Sequence, residues 1–217
     1  MRTGAALMRW GLVGASGHMG AELQKLLGQP HLACDEGGCQ GEGPLDVIFD
    51  FSSPSATQQV CRLVREHRCA LVSGTTGLTE EQEKEIIALS HEVAVVRASN
   101  FSLGVAVMTK MASLLDDALS SWDCEVLETH HSAKKDAPSG TAKSLAAALH
   151  RPVMPKSLRL GGVPGDHVLL WASADEMICL SHRAINRSLF ARGALLAAQK
   201  LLEKPAGLYP FHQLIGV

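Results

Sequence analysis

The chain has 217 residues, 46% of them apolar and 19% charged, with a formal net charge of −2. That length suits one large domain or two modest ones, and the composition is that of an ordinary globular protein. The near-neutral charge argues against a nucleic-acid or membrane-surface partner, and no apolar run is long enough for a transmembrane helix. The start, Met1 to Met8, is too short and too weakly apolar for a signal peptide, so residues 1–7 read as an overhang before the first strand. The six cysteines, Cys34, Cys39, Cys61, Cys69, Cys124 and Cys179, form no CxxC pair. Reduced, partly buried thiols in a cytoplasmic protein are therefore expected, although Cys34 and Cys39 are placed to bridge across a Gly-rich turn.

In chain order, Arg9 to Val13 reads as a short buried strand. It runs into Gly14-Ala15-Ser16-Gly17-His18-Met19-Gly20, then a helix with Leu23, Leu26 and Leu27 on one face. Strand, glycine turn and helix in that order form the setting of a dinucleotide-binding turn. The glycines let backbone approach a pyrophosphate, and the helix start offers free N–H donors. The GxxGxxG spacing equally fits a tight turn that binds nothing. A second strand, His31 to Cys34, ends at Asp35 and Glu36, where a carboxylate can accept from the adenosine ribose hydroxyls or simply sit in a solvated turn. No Lys or Arg lies between Asp35 and Asp50, so a 2′-phosphate would meet repulsion, and NADH is expected over NADPH.

Asp46 to Phe51 is a continuous apolar strand of the doubly covered, parallel kind. Pro54 or Ser55 starts a helix bearing Val60, Leu63 and Val64. The strand Ala70 to Ser73 ends in Gly74-Thr75-Thr76-Gly77, and Thr79-Glu80-Glu81-Gln82 has the form of a capping box. Val93 to Val96 is a further strand, running on to Ala98-Ser99-Asn100-Phe101-Ser102. This βαβαβαβ alternation over 8–102 predicts a parallel sheet whose strand C-termini share one ligand-binding edge.

After Ser102 the pattern changes: a long apolar helix from Val105 to Leu119 precedes a strand from Cys124 to Thr129. That strand enters Glu128-Thr129-His130-His131-Ser132-Ala133-Lys134-Lys135-Asp136-Ala137-Pro138-Ser139-Gly140-Thr141-Ala142, which ends by opening a helix over 142–149. Short strands at 158–160, 168–172 and 177–180 suggest a mixed or antiparallel sheet, and a final amphipathic helix spans 188–202. The expected fold is α/β: an N-terminal Rossmann-like parallel sheet plus a second α+β domain. The dinucleotide-binding domain takes residues 1–100 with 190–217, and a substrate-binding and oligomerisation domain takes 101–189.

Five stretches in order carry a resemblance: Gly14 to Gly20, Asp50-Phe51-Ser52, Gly74 to Gly77, Asn100 to Val105, and Glu128 to Ala142. Together with Val163 to His167, His182 and Phe190 to Ala194, they resemble the 4-hydroxy-tetrahydrodipicolinate (dihydrodipicolinate) reductases of lysine and diaminopimelate biosynthesis. The resemblance implies hydride transfer from NADH or NADPH to a cyclic dicarboxylate, hinge motion, and a homotetramer built by the second domain. It implies that His130 is the general acid, Lys134 the catalytic lysine and a substrate contact, His131 a neighbouring contact, and Gly140 and Thr141 the carboxylate-binding pair. It puts the cofactor against the glycine loop and against Phe51, Gly74, Thr75, Thr76, Asn100 and Phe101.

Three departures stand out. His18 occupies a position usually basic in the family, Lys135 one that is often neutral, and Glu36 is so close to Asp46 that a strand-helix element is missing. The shortened first domain leaves a cofactor-binding sensor, or a related amino-acid dehydrogenase, as the competing reading. No metal is expected, because adjacent residues such as His130 and His131 point to opposite sides of an extended segment. His167 and His182 read as packing or interface residues, and Asp136 as a residue that orients the loop.

Overall fold

The computed structural model describes residues 8–217; the expected overhang at 1–7 lies outside the described residues. The described chain divides into two compact units, one running to Phe101 and resuming over Ser188–Gly216, the other spanning Ser102–Arg187.

The first unit is a seven-stranded sheet: β1 (Trp10–Val13), β2 (Leu32–Asp35), β3 (Gly38–Gly41), β4 (Val47–Asp50), β5 (Ala70–Ser73), β6 (Ala94–Arg97) and β11 (Gly207–Pro210). Their order is β11-β6-β5-β4-β1-β2-β3, and every pairing is parallel except β2 with β3. The unit's helices are α1 (His18–Leu27), α2 (Thr57–His67, led in by a 3-10 turn at Pro54–Ala56), α3 (Glu80–Ser90), α6 (Ser188–Leu201) and α7 (Phe211–Leu214). β1, β4 and β5 are buried at every position, as strands covered on both faces must be. One layer of that cover packs Val60, Val64, Ile86 and Leu89 with Ile48 and Leu71, each worth roughly 1.5–3 kcal/mol on full burial. α3 opens on the expected capping box, Thr79 accepting from the Gln82 N–H and Gln82 from the Thr79 N–H.

The segment between β2 and β4 holds no helix, only the short antiparallel edge strand β3, in keeping with the missing strand-helix element. One expectation needs correction. Cys34 and Cys39 are not free: they stand directly opposite each other across that hairpin, with Cα atoms 4.1 Å apart, and form a disulfide. Cys61, Cys69, Cys124 and Cys179 are free, and burial pushes the Cys61 and Cys69 thiols up to about 12.

The second unit carries α4 (Leu103–Ala118), β7 (Asp123–His130), α5 (Gly140–Ala147), β8 (Lys156–Arg159), β9 (Asp166–Ala172) and β10 (Met177–Arg183). Its sheet order is β10-β9-β7-β8, with β7 parallel to β8 and antiparallel to β9, the mixed sheet expected. Met108 and Ala112 of α4 and Leu145 of α5 cover one face, against Val126, Leu169 and Trp171. Asp116 ties this core together: it is 1% exposed and accepts from Trp171 Nε1 at 3.1 Å, from the His150 N–H at 2.8 Å and from Arg151 at 2.8 Å. No described helix is long and apolar enough to cross a membrane.

Candidate active site

In the first unit, parallel pairing puts the C-terminal ends of β1, β2, β4, β5 and β6 side by side. The glycine loop, Asp35 and Glu36, Phe51, Gly74 to Thr76, and Asn100 with Phe101 all follow those ends. Gly14 sits at φ 88°, and a Cβ there would lie 2.5 Å from the Phe51 carbonyl oxygen. A Cβ on Gly74 would lie 2.2 Å from the Phe51 ring, so the aromatic plate rests on bare backbone. Phe101 packs edge-on to both Phe51 and Phe211, with ring centroids 5.6 and 5.2 Å apart. Asp50, 3% exposed, ties the loops after β4 and β5 by accepting from Ser73 Oγ at 2.8 Å, Thr75 Oγ1 at 2.9 Å and Ser52 Oγ at 2.5 Å.

The Asp35 carboxylate accepts from the Ser16 N–H at 3.0 Å and from Ser16 Oγ at 3.1 Å. The Cys34 carbonyl accepts from the N–H groups of Gly14 and Ala15 at 2.9 and 3.3 Å. β2 thus pins the glycine loop through both backbone and side chain. Ser16, His18 and Thr76 are exposed, and Gly17 and Met19 half-buried. A separate cleft of about 530 Å³, lined by Arg9, Asp46, Cys69, Val93 and Leu201, lies at the opposite ends of the strands.

In the second unit the chemistry gathers at the end of β7. Val126, Glu128 and His130 alternate on the buried face of that strand. Cross-strand register sets Ser157 and His167 on either side of Glu128, and Arg159 beside His130. The Glu128 side chain is 0% exposed; one oxygen bonds His130 Nδ1, and the other accepts from Arg159 at 2.9 Å and from the Ser139 N–H at 3.3 Å. Burial alone would raise this carboxyl, but hydrogen bonds from its donors, Arg159 and His130 among them, outweigh it and bring it down to about 2. His130 is held below the ordinary imidazole value, by burial first and then by Lys134 and Arg159, with Glu128 opposing. His167 packs edge-on to His130 with centroids 5.3 Å apart, and its burial, reinforced by His130 and His182, brings it down to about 4.

The loop after His130 is held at both ends. Arg159 donates to the Asp136 carbonyl at 2.5 Å, and Ser139 caps α5 by accepting from the Ala142 N–H at 3.1 Å. Lys134 is half-buried and pairs with Asp136 at 2.7 Å, which pulls that carboxyl below its usual range; Lys135 is exposed. His131 is half-buried, and Gly140 and Thr141 form the first turn of α5. Glu128, His130 and His167 present donor atoms all within 4.8 Å of one another, a spacing a metal could use. The Glu128 carboxylate already accepts from His130, Arg159 and the Ser139 N–H.

A family profile described as dihydrodipicolinate reductase, C-terminus, matches residues 104–215, and its N-terminal counterpart matches 35–101. The chain belongs to the dihydrodipicolinate reductase family. The 4-hydroxy-tetrahydrodipicolinate reductase of Thermosipho africanus is 43% identical over 96% of this chain and 98% of its own length. That of Xanthomonas axonopodis is 44% identical over 87% of this chain and 79% of its own. The first domain's shortness is therefore shared with a curated relative, which removes the main reason for the sensor reading. The activity is that of the family: NAD(P)H-dependent reduction of 4-hydroxy-tetrahydrodipicolinate, in lysine biosynthesis. Among solved structures, a dipicolinate-bound dihydrodipicolinate reductase from Paenisporosarcina sp. TG-14 matches with a TM-score of 0.75 at 23% identity, covering 94% of this chain and 97% of that one. A C. glutamicum DAP dehydrogenase in complex with DAP matches at 0.57 with 9% identity, over 97% and 96% of the two chains. Both show the likeness of fold.

The sequence alone points to no catalytic part for Glu128 or Arg159, and to packing or an interface for His167. Glu128 carried a usable sign, a carboxylate two residues before a histidine on one strand face. Arg159 and His167 enter only through strand register.

Proposed function

We propose that the two units divide the work. The first holds the dinucleotide: Gly14, Ser16, Gly17, His18, Met19 and Gly20 cradle the pyrophosphate, Asp35 and Glu36 face the adenosine ribose, and the Phe51, Gly74 to Thr76 and Asn100–Phe101 loops hold the nicotinamide half. The close approach of Gly14 and Gly74 to Phe51 supports this, since a Cβ at either would collide with Phe51 and push the loops apart. When bound, the cofactor supplies a hydride. NADH is favoured over NADPH: the carboxylate of Asp35 stands at the ribose end, and no Lys or Arg follows before Asp50.

The second unit holds the dicarboxylate, a ligand class that the dipicolinate-bound relative of like fold also accommodates. Gly140 and Thr141 at the α5 start receive one carboxylate, and Lys134 pairs with the other, with His131 in support. His130 is the general acid. As hydride reaches the substrate, negative charge builds on it, and His130 neutralises that charge by giving up a proton. Such help is worth about 10²–10⁴-fold in rate. The observation that carries this reading is the pairing of His130 with a buried, ionised carboxylate on the strand that feeds the Lys134 loop.

The uncovered face of the second sheet presents Leu127, Leu158, Val168, Leu170 and Met177, with Leu158 56% and Met177 64% exposed, and this surface supports a homotetramer. The free thiols and the biosynthetic activity favour the cytoplasm, with the hairpin disulfide as the exception.

The test is steady-state oxidation of NADH and NADPH with 4-hydroxy-tetrahydrodipicolinate, for the wild type, His130→Ala and Lys134→Ala. Both variants should lose kcat by about 10²-fold or more with NADH affinity retained. Equal loss of cofactor affinity in a folded variant would sink the assignment. Light scattering reads the oligomer.

A further inference from the structure

We propose that Glu128 is a positioning residue for His130: held in place by Arg159, its carboxylate keeps the imidazole hydrogen on Nδ1 and leaves Nε2 as the only atom through which His130 passes its proton. This rests on the reading of His130 as the general acid.

Geometry carries the argument. The Glu128 side chain has no exposed surface, and its two oxygens face different partners, one His130 Nδ1 and the other Arg159 and the Ser139 N–H. An ionised carboxylate can only accept hydrogen bonds, so Nδ1 must be the donor. Nδ1 therefore carries hydrogen in both charge states of the ring, and only Nε2 gains or loses a proton. The structure leaves room beside that atom. A Cβ on Gly165 would stand 3.1 Å from His130 Nε2, so glycine at 165 keeps the exchanging nitrogen accessible.

The groups facing His130 come from four elements: Glu128 on its own strand, Lys134 in the following loop, Arg159 on β8 and His167 on β9. Burial and the two cations disfavour the imidazolium, and Glu128 opposes them. Arg159 also holds the Asp136 carbonyl, so one guanidinium fixes both the carboxylate behind His130 and the loop that carries Lys134. In the reaction, the Nε2–H bond breaks, the proton goes to the substrate and the electron pair stays on Nε2. The ring ends neutral, Glu128 is unchanged, and solvent returns a proton to Nε2.

Glu128→Gln tests this. Its amide keeps the shape but loses the charge and permits either tautomer. At pH 7 kcat should fall about 10–100-fold while the KM for NADH holds. The limb on which kcat/KM falls with rising pH should move to lower pH, because the imidazolium loses its one supporting anion. Glu128→Asp keeps the charge and should retain the limb near its wild-type position at reduced rate. A structural role alone would lower activity without moving the limb. Removing one partner of a buried pair can unfold a protein, so Glu128→Gln/Arg159→Gln is the companion variant and should show a smaller acid shift, because loss of the Arg159 cation partly offsets loss of the Glu128 anion. Nitrogen NMR of ring-labelled wild-type protein, which needs no turnover, should show neutral His130 with hydrogen on Nδ1. A wild-type ring protonated on Nε2, or a Glu128→Gln limb at the wild-type pH, overturns the proposal. Loss of reductase activity in the wild type would instead overturn the active-site reading, since the NMR result does not depend on it.

Discussion

Gly193→Ala in α6 sets two effects of opposite sign against each other. In a helix interior, alanine for glycine should stabilise by up to about 1 kcal/mol. At this site, however, the new Cβ would lie 1.6 Å from the carbonyl oxygen of Phe101. Ordinary carbon–oxygen contact is about 3.4 Å, so helix and loop would have to part by roughly 1.8 Å. The obstacle is backbone, which cannot rotate aside, and α6 is buried there along Ala191, Gly193, Ala194, Ala197 and Ala198. Overpacking of a tight interior costs about 1–3 kcal/mol, and a clash this deep belongs at the upper end. The net expectation is a loss of about 2 kcal/mol, a Tm lower by roughly 4–8 °C. Phe101 also packs on Phe51, so the shift should reach the proposed nicotinamide loops and weaken NADH binding. Differential scanning calorimetry with a fluorescence titration of NADH reads both. A Tm at or above the wild-type value would refute the argument that close helix approach, rather than helix propensity, decides this position.

Asp116→Ala should cost about 3 kcal/mol in urea unfolding, because it strands Arg151 and the Trp171 and His150 N–H groups; a cost below about 1 kcal/mol would mean that water replaces the carboxylate. His167, held near 4 by burial, gives a pH dependence of stability. Between about 6.5 and 4 the unfolded chain takes up a proton that the folded chain refuses, so stability should fall as pH drops through that window, by roughly 3 kcal/mol in all. His167→Gln should flatten most of that slope, leaving a residue from His130 and His182, both also held down by burial; an unchanged slope would place the titration elsewhere. Thiol titration in denaturant should count four free groups without reductant, Cys61, Cys69, Cys124 and Cys179, and six after reduction; six at the outset would show that Cys34 and Cys39 are not joined.

Much of the fold was legible because its signals are local. The capping box at Thr79 and Gln82, the glycine turn after β1 and the apolar runs of β4 and β5 each depend on neighbours a few residues away. The elements that went unread lack such a signal. β3 is Gly38-Cys39-Gln40-Gly41, exposed throughout and with no apolar alternation, and it exists because β2 offers it an edge. β11 is short and ends in proline, and its place beside β6 is a matter of sheet pairing. The Cys34–Cys39 bridge, which the sequence leaves open beside the reduced state, is decided by that hairpin, since antiparallel pairing sets the two residues face to face.

The reaction class and the loop that serves it are written along the chain. The run from Glu128 to Ala142 names its chemistry in consecutive residues, and a strand, a polar loop and a helix start are all local structures. The partners of His130 come instead from the folded arrangement. Glu128 becomes one because a strand alternates sides every residue, and Arg159 and His167 arrive from 29 and 37 positions away along the chain (159 − 130 and 167 − 130) through pairing of β7 with β8 and β9. Register is a property of two strands at once, so no reading of one segment contains it. Burial, which holds His167 near 4 and leaves the Glu128 carboxylate dependent on its donors, is likewise set by the helices that cover the sheet.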